Sequence, residues 1–178
     1  EKPFNLYELL GQVRHSIALK QSQFSLKKSL NELETHDKQQ AVISEIGMFA
    51  LKCVDPKKLM DKTVVCVSKI LDVEYCQILE RVPQKGDLVI RAVAGWKKEL
   101  AGTELNGDDS ISQAGYTLSL NKPVIVTDIQ PEKRFNCAKL FKDNKIVSGM
   151  GVIIKGKNKH YGVLEVHTVN KRKFTKDD

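Results

Sequence analysis

Apolar residues in the first fifty positions recur at helical rather than strand spacing. Leu6, Leu10, Val13, Ile17 and Phe24 mark one stripe, and Leu19, Leu26, Leu30 and Leu33 mark a second, offset one. Residues three, four and seven apart share a helix face, so residues 6–54 read as mostly helical. No proline falls between Asn5 and Leu51, and the only glycines there are Gly11 and Gly47. A pattern of this length predicts a coiled coil or a helix handing over between domains. The change of stripe near residues 19–26 is either a phase shift within one helix or a break between two. Asn5, with Glu8 three residues on, makes a capping-box pattern at the start.

Beyond Cys53 the pattern shortens. Val54-Asp55 stops the helix, and Asp55 caps a new one with Pro56 at its first position. Leu59, Met60, Thr63, Val64, Val67, Ile70 and Leu71 give that helix an apolar face. Strands follow at 75–82 and 88–94, with a turn around 83–86. Ser110 or a nearby Asp opens a short helix ending near Asn121, and Lys122-Pro123 leads into a strand at 124–127. A basic helix at about 136–144 precedes two strands, 149–154 and 161–168, around a Gly-Lys-Asn-Lys hairpin, and 174–178 reads as the start of a further helix. Hairpins at both ends predict a largely antiparallel sheet. The unbroken apolar runs Val124-Ile125-Val126 and Val152-Ile153-Ile154 predict that both its faces are covered. The expected fold is α+β, a central sheet of about five to six strands with helices on both faces, plus the long N-terminal helix.

Composition narrows the class. With 178 residues, 41% hydrophobic and 29% charged, the chain has the balance of one globular domain with an appendage, not of a disordered or fibrous protein. No apolar run approaches the ~18–20 residues of a membrane span. The chain opens at Glu1 with neither an initiator Met nor a leader, which reads as a piece of something longer. Cys53, Cys66, Cys76 and Cys137 form no CxxC pair and no metal-spaced cluster with the four histidines, which reads as free thiols in a cytoplasmic protein without structural zinc. The net charge is +7, and residues 133–159 carry the whole excess, with eight Lys/Arg against Asp143 alone. Nucleic acid fits this run poorly, because it has one Arg and its Phe135 and Phe141 sit at helical spacing like core residues.

Residues 39–178 resemble a GAF domain. Tyr75-Cys76-Gln77-Ile78-Leu79 is similar to the family's first strand, and Leu88 to Gly95 to its second, ending in Ala-Gly. Ser112-Gln113-Ala114-Gly115 resembles the family's Ser-x-x-Gly helix start, with Lys122-Pro123-Val124-Ile125-Val126 and Asp128 at the usual distance beyond. Ile146-Val147-Ser148 and Tyr161 to His167 resemble the last two strands, and Asn170-Lys171, Phe174 and Asp178 the closing motif. Ile153 departs from the pattern, since many members carry Pro there. The first fourteen residues, with Lys2-Pro3 ahead of a Leu-rich helix ending at Val13-Arg14, resemble the end of a response-regulator receiver domain. In that family the Lys senses the phosphoaspartate. The organisation these resemblances imply is 1–17 as the last helix of a receiver, 18–38 as a helical linker or coiled coil, and 39–178 as the GAF domain.

No catalytic constellation stands out. Glu165 and His167, two apart, share one face of the last strand. They line the core face or touch a ligand. A GAF-fold enzyme reduces free methionine sulfoxide with cysteines between the second and third strands, and residues 95–123 contain none. The resemblance implies a pocket on one sheet face under the middle helices, lined by Trp96, Ser112, Tyr116, Asp128, Arg134, Phe135, Phe141, Met150, Val152 and Glu165. Phe135, Phe141 and Met150 also have a plain core reading, and Asp128 reads as a loop carboxylate accepting backbone N–H bonds. Cyclic-nucleotide-binding members share the closing motif Asn170, Lys171, Phe174 and Asp178, but so do members that bind no nucleotide. A bilin at Cys137 is disfavoured because Ala138 stands where His usually follows, and haem because residues 110–145 hold no His. The basic run predicts a small anionic ligand, held by Lys133 or Arg134 and a helix N-terminus near residues 135–137.

The resulting expectation is a sensory or regulatory module of a two-component signalling protein, not an enzyme. It lies between a receiver and an unknown output domain, and pairs as a homodimer through its N-terminal helix. The alternatives are a ligand-free dimerisation scaffold and a small-molecule enzyme on the same fold.

Overall fold

The structure, a computed structural model, describes residues 6–82, 87–105, 112–157, 159–175 and 178. Asn5, the Lys2-Pro3 pair, the 83–86 turn and Ser110 lie outside the described residues. The chain divides into two compact units, residues 1–44 and 45–178. Helix α1 (Leu6–Lys52) is one unbroken helix of 47 residues, so the change of stripe is a phase shift rather than a break. At about 100° per residue, Leu10, Val13, Ile17 and Phe24 fall on nearly the opposite side from Leu19, Leu26, Leu30 and Leu33. All eight are exposed, from 46% at Val13 to 75% at Phe24.

In the second unit, α2 (Pro56–Ile70) begins where the sequence places it. The Asp55 carboxylate accepts from the Lys57 N–H at 2.9 Å and Pro56 opens the first turn, a cap worth about 1 kcal/mol. The rest comprises β1 (Tyr75–Arg81), β2 (Leu88–Ala94), β3 (Glu104–Leu105), α3 (Gln113–Leu120), β4 (Val124–Val126), α4 (Lys139–Asp143), β5 (Ser148–Lys155) and β6 (His160–Thr168). The six strands form one sheet in the order β3-β2-β1-β6-β5-β4, every neighbouring pair antiparallel. The two-residue β3 carries no alternation pattern. α4 spans five residues rather than nine, and leaves Phe135 in a loop, though still buried.

Strand register sorts the side chains onto two faces. Cys76, Ile78, Ala92, Met150 and Val166 point towards α2 and pack with Val64, Leu71, Val73 and Phe174. The other face carries Leu79, Leu88, Ile90 and Val163 against Ala114 and Leu118 of α3. It also carries Val124 and Val126 in a cluster with Trp96, Phe135, Phe141 and Ile146. Each fully buried aliphatic residue here contributes about 1.5–3 kcal/mol.

Candidate functional site

Across the middle of the α3 face the apolar pattern is interrupted. Gln77 of β1 pairs with Glu165 of β6, and Glu165 with Gly151 of β5. One step along, Tyr75 pairs with His167, and His167 with Gly149. Gln113 and Thr117, on α3, lie over this row. Gln77, Gln113, Glu165 and His167 are all buried to within 2% of full enclosure. Gln77 Nε2 donates to Glu165 Oε2 at 2.8 Å, and His167 Nε2 lies 3.5 Å from the same oxygen. Among the described residues, Gln77 Oε1, both amide atoms of Gln113, Glu165 Oε1, both ring nitrogens of His167 and Trp96 Nε1 have no hydrogen-bond partner. Native interiors leave few buried polar atoms unsatisfied. The seven set this patch apart from the rest of the interior.

Two glycines form the floor of this patch, and side chains pack directly onto them. A Cβ at Gly151 would lie 2.8 Å from Thr117 Oγ1 and 3.6 Å from both Gln113 Nε2 and Glu165 Oε1. A Cβ at Gly149 would lie 2.5 Å from His167 Nδ1. One wall is aromatic. The Phe141 ring centroid is 4.4 Å and that of Trp96 6.0 Å from His167, and Trp96 lies 4.3 Å from Tyr75.

The expected pocket residues distribute unevenly. Glu165 lies within the row, and Trp96 and Phe141 lie against His167. Phe135 is buried in the same aromatic cluster, 6.0 Å from Tyr116. Ser112 is the N-cap of α3, its hydroxyl accepting from Gly115 N–H at 3.0 Å. Asp128 accepts from Gln130 N–H at 3.1 Å and pairs with Lys171 at 3.3 Å, the loop role the sequence suggests. Met150 and Val152 pack on the α2 face, on the far side of the sheet. Their expected place in the pocket is corrected by the register, which leaves only Gly149 and Gly151 of that stretch facing α3. Gln77 and Gln113 were missed, and His167 was left between two readings. The signal for Gln77 and His167 was a polar residue inside an otherwise apolar strand, with a glycine opposite His167, whereas Gln113 lies on α3 and carried no such signal.

Arg134 is engaged elsewhere. Its guanidinium bonds Glu132 at 2.6 Å and the Ile125 carbonyl at 2.9 Å, and lies 5.9 Å from the Tyr116 ring. That hydrogen bond, with backbone N–H groups of Arg134 and Lys133 adding to it, holds the Glu132 carboxyl down at about 2. α4 begins at Lys139 without a side-chain cap, so the expected N-terminus near 135–137 is not formed. Burial pushes the Cys137 thiol up, with Lys142 opposing.

The closing motif is taken up in holding the C-terminal segment. Asn170 Nδ2 donates to Glu74 Oε1 at 3.1 Å, and Arg172 bonds the Leu71 carbonyl and Asp178. Phe174 is 1% exposed in the α2-face core. A recess on that side, about 350 Å³ in volume and lined by Lys57, Met60, Glu80, Arg91, Gly102 and Tyr161, has its Glu80 carboxylate bonded to Arg91. Among the described residues no group of three His, Cys, Asp or Glu is placed to hold a metal ion, and no helix is long and apolar enough to cross a membrane.

The family model described as GAF domain matches residues 55–178. The chain belongs to the GAF domain family. Solved GAF structures share the architecture. The GAF domain of an Acinetobacter phosphoenolpyruvate-protein phosphotransferase is 20% identical, covering 80% of this chain and 81% of its own, with a TM-score of 0.66. That of the Coxiella burnetii phosphoenolpyruvate-protein phosphotransferase is 13% identical, covering 80% and 84%, with a TM-score of 0.72. The free methionine-R-sulfoxide reductase of Neisseria meningitidis, in complex with its substrate, is 15% identical, covering 77% of each chain, with a TM-score of 0.64. At these identities the likeness is one of fold. Sequence comparison with curated proteins finds no match. The GAF fold serves regulation and sensing in diverse proteins and catalysis in a few.

Proposed function

We propose that this chain is the ligand-responsive regulatory module of a receiver-containing two-component signalling protein. The observation that carries the reading is the enclosed row of Gln77, Gln113, Glu165 and His167, whose buried polar atoms lack hydrogen-bond partners among the described residues. A small molecule seated there would complete those hydrogen bonds and tie α3 to the sheet. The likeness of residues 1–14 to a receiver terminus supports the signalling context, with an upstream receiver, an unknown output domain and a cytoplasmic setting. Phosphorylation or ligand binding would then bias α1 between two arrangements, the two-state element a relay requires. The decisive experiment is mass spectrometry, native and denatured, of the protein purified from its own cells. A small molecule released on denaturation supports the reading. Its absence, with no thermal shift from any metabolite class, overturns it.

A second reading is favoured by a separate observation. The exposed apolar side chains of the two α1 stripes suit pairing with a second copy, with or without a ligand. Light scattering should show a dimer, weakened by Leu30→Asp. A monomer at tens of micromolar would sink this reading. Reductase activity is disfavoured because residues 95–123 lack cysteine, so free methionine sulfoxide should not be turned over.

A further inference from the structure

We propose that the recess on the α2 side is a second ligand site, which takes a small monocarboxylate with an apolar body through the open fork of Arg91. The recess holds about 350 Å³, within the range of small-molecule sites. Its position depends on a defect in the sheet. Ile78 of β1 pairs with Ala92 and Leu79 with Ile90, so Arg91 is the extra residue of a β-bulge in β2. Regular alternation would put residues 90 and 92 on one face. Instead Ile90 packs in the α3-face core and Ala92 in the α2-face core. A bulge re-aims a side chain, and this one sets the Arg91 guanidinium against Glu80 on the wall of the recess.

The bond to Glu80 uses Arg91 Nε alone. Among the described residues, both terminal amino groups of the guanidinium are without a partner, and so is Lys57 Nζ. Two parallel N–H donors match the two oxygens of a carboxylate, with Glu80 holding the fork in place. The hydroxyl of Tyr161 donates to the Met60 sulfur at 3.5 Å, a weak acceptor that an anionic oxygen would displace. Burial, with Glu80 adding and Arg91 opposing, raises the Tyr161 hydroxyl, so it stays protonated and able to donate. Lys57, Arg91 and Glu80 are the charged residues lining the recess, and together they leave one positive charge. A monoanion neutralises that charge, and a dianion exceeds it. Met60 and the Tyr161 ring offer an apolar surface to the rest of the molecule. On the side of the loop before β3, a Cβ on Gly102 would meet nothing within 4 Å, so that wall leaves room.

Titration calorimetry of the whole chain with benzoate, benzamide and phenyl phosphate tests this. Benzoate should bind in the millimolar range expected of so small a probe, and benzamide at least about tenfold more weakly. Arg91→Lys keeps the charge and loses the fork, and should weaken benzoate by about tenfold with the circular dichroism unchanged. Tyr161→Phe, which should also weaken it, serves if that variant does not fold. Lys57→Gln should weaken it by about threefold, whereas Lys122→Gln, an equal loss of charge outside the recess, should leave it unchanged. Benzoate binding that survives both Arg91→Lys and Lys57→Gln overturns the proposal. So do equal losses from Lys57→Gln and Lys122→Gln, benzamide binding as well as benzoate, tighter binding of phenyl phosphate, or no benzoate binding at tens of millimolar.

Discussion

The two faces of the sheet are built from the same strands and differ in what they leave unfinished. On the α2 face Cys76, Ile78, Ala92, Met150 and Val166 meet Val64, Leu71 and Phe174 in a continuous apolar layer. Cys76 is so enclosed that burial pushes its thiol up to about 12. On the α3 face two apolar clusters flank a carboxylate, an imidazole and two amides with open valences. The first face is closed-packed and stabilises the domain. The second gives up part of that stabilisation, since each unsatisfied buried polar group costs about 1–3 kcal/mol. Such a loss persists where a function compensates for it. The proposed site rests on that difference between the faces rather than on any single residue.

The largest expected effect breaks the dry face. Phe174→Ala removes a side chain 1% exposed, stacked 4.7 Å from the Arg172 guanidinium. It should cost about 3–5 kcal/mol in urea unfolding. A loss under about 1 kcal/mol would mean that the C-terminal segment is not part of the core.

Next come the polar residues, where the direction of the effect is the informative quantity. Gln77→Leu withdraws the donor from Glu165 Oε2 and should destabilise by about 1–3 kcal/mol. Glu165→Gln removes the buried charge at constant shape and should leave ligand-free stability unchanged or higher. A Glu165→Gln loss as large as that of Gln77→Leu would show that the carboxylate is satisfied in the free protein, and the contrast between the faces would narrow.

A smaller effect separates the buried carboxylate from one held at the rim. The Glu132 carboxyl is depressed from 4.5 to about 2, chiefly by its hydrogen bond to Arg134. A carboxylate whose folded value is lowered stabilises the fold above its ordinary value, and that contribution fades as pH falls towards 2. Glu132→Gln should therefore cost under about 1 kcal/mol near neutrality, and the gap from wild type should shrink steadily below pH 4.5. A gap that stays constant to the acid limit would assign the loss to packing. The smallest effect is kinetic. In the native protein at pH 8 a thiol reagent should label the half-buried Cys53, Cys66 and Cys137 before Cys76. Early labelling of Cys76 would show the dry face opening.

Local chemistry was legible from residues alone. Asp55 with Pro56 fixes the start of α2 and helical spacing without proline marks α1, whereas the residues alone put the start of α3 at Ser110 or a nearby Asp instead of Ser112 and leave one helix or two open for α1. These depend on neighbours within a few residues, where the order of side chains is itself the geometry. The antiparallel α+β arrangement followed from the hairpins. Period-two alternation also put Glu165 and His167 on one face. It does not say which face a strand turns to which helix, so Met150 and Val152 were placed in the pocket and belong under α2. The site itself required the tertiary structure. Gln77 and Glu165, 88 positions apart, meet only because β1 and β6 pair in the register that sets them opposite. Gly151 matters only because Gln113 and Thr117 come down over it. Arg134, a free cation in the sequence, is bonded to Glu132 and a strand carbonyl once the chain is folded. A sequence states which groups carry charge and which are apolar. Which of them find partners depends on distances that long-range strand pairing sets.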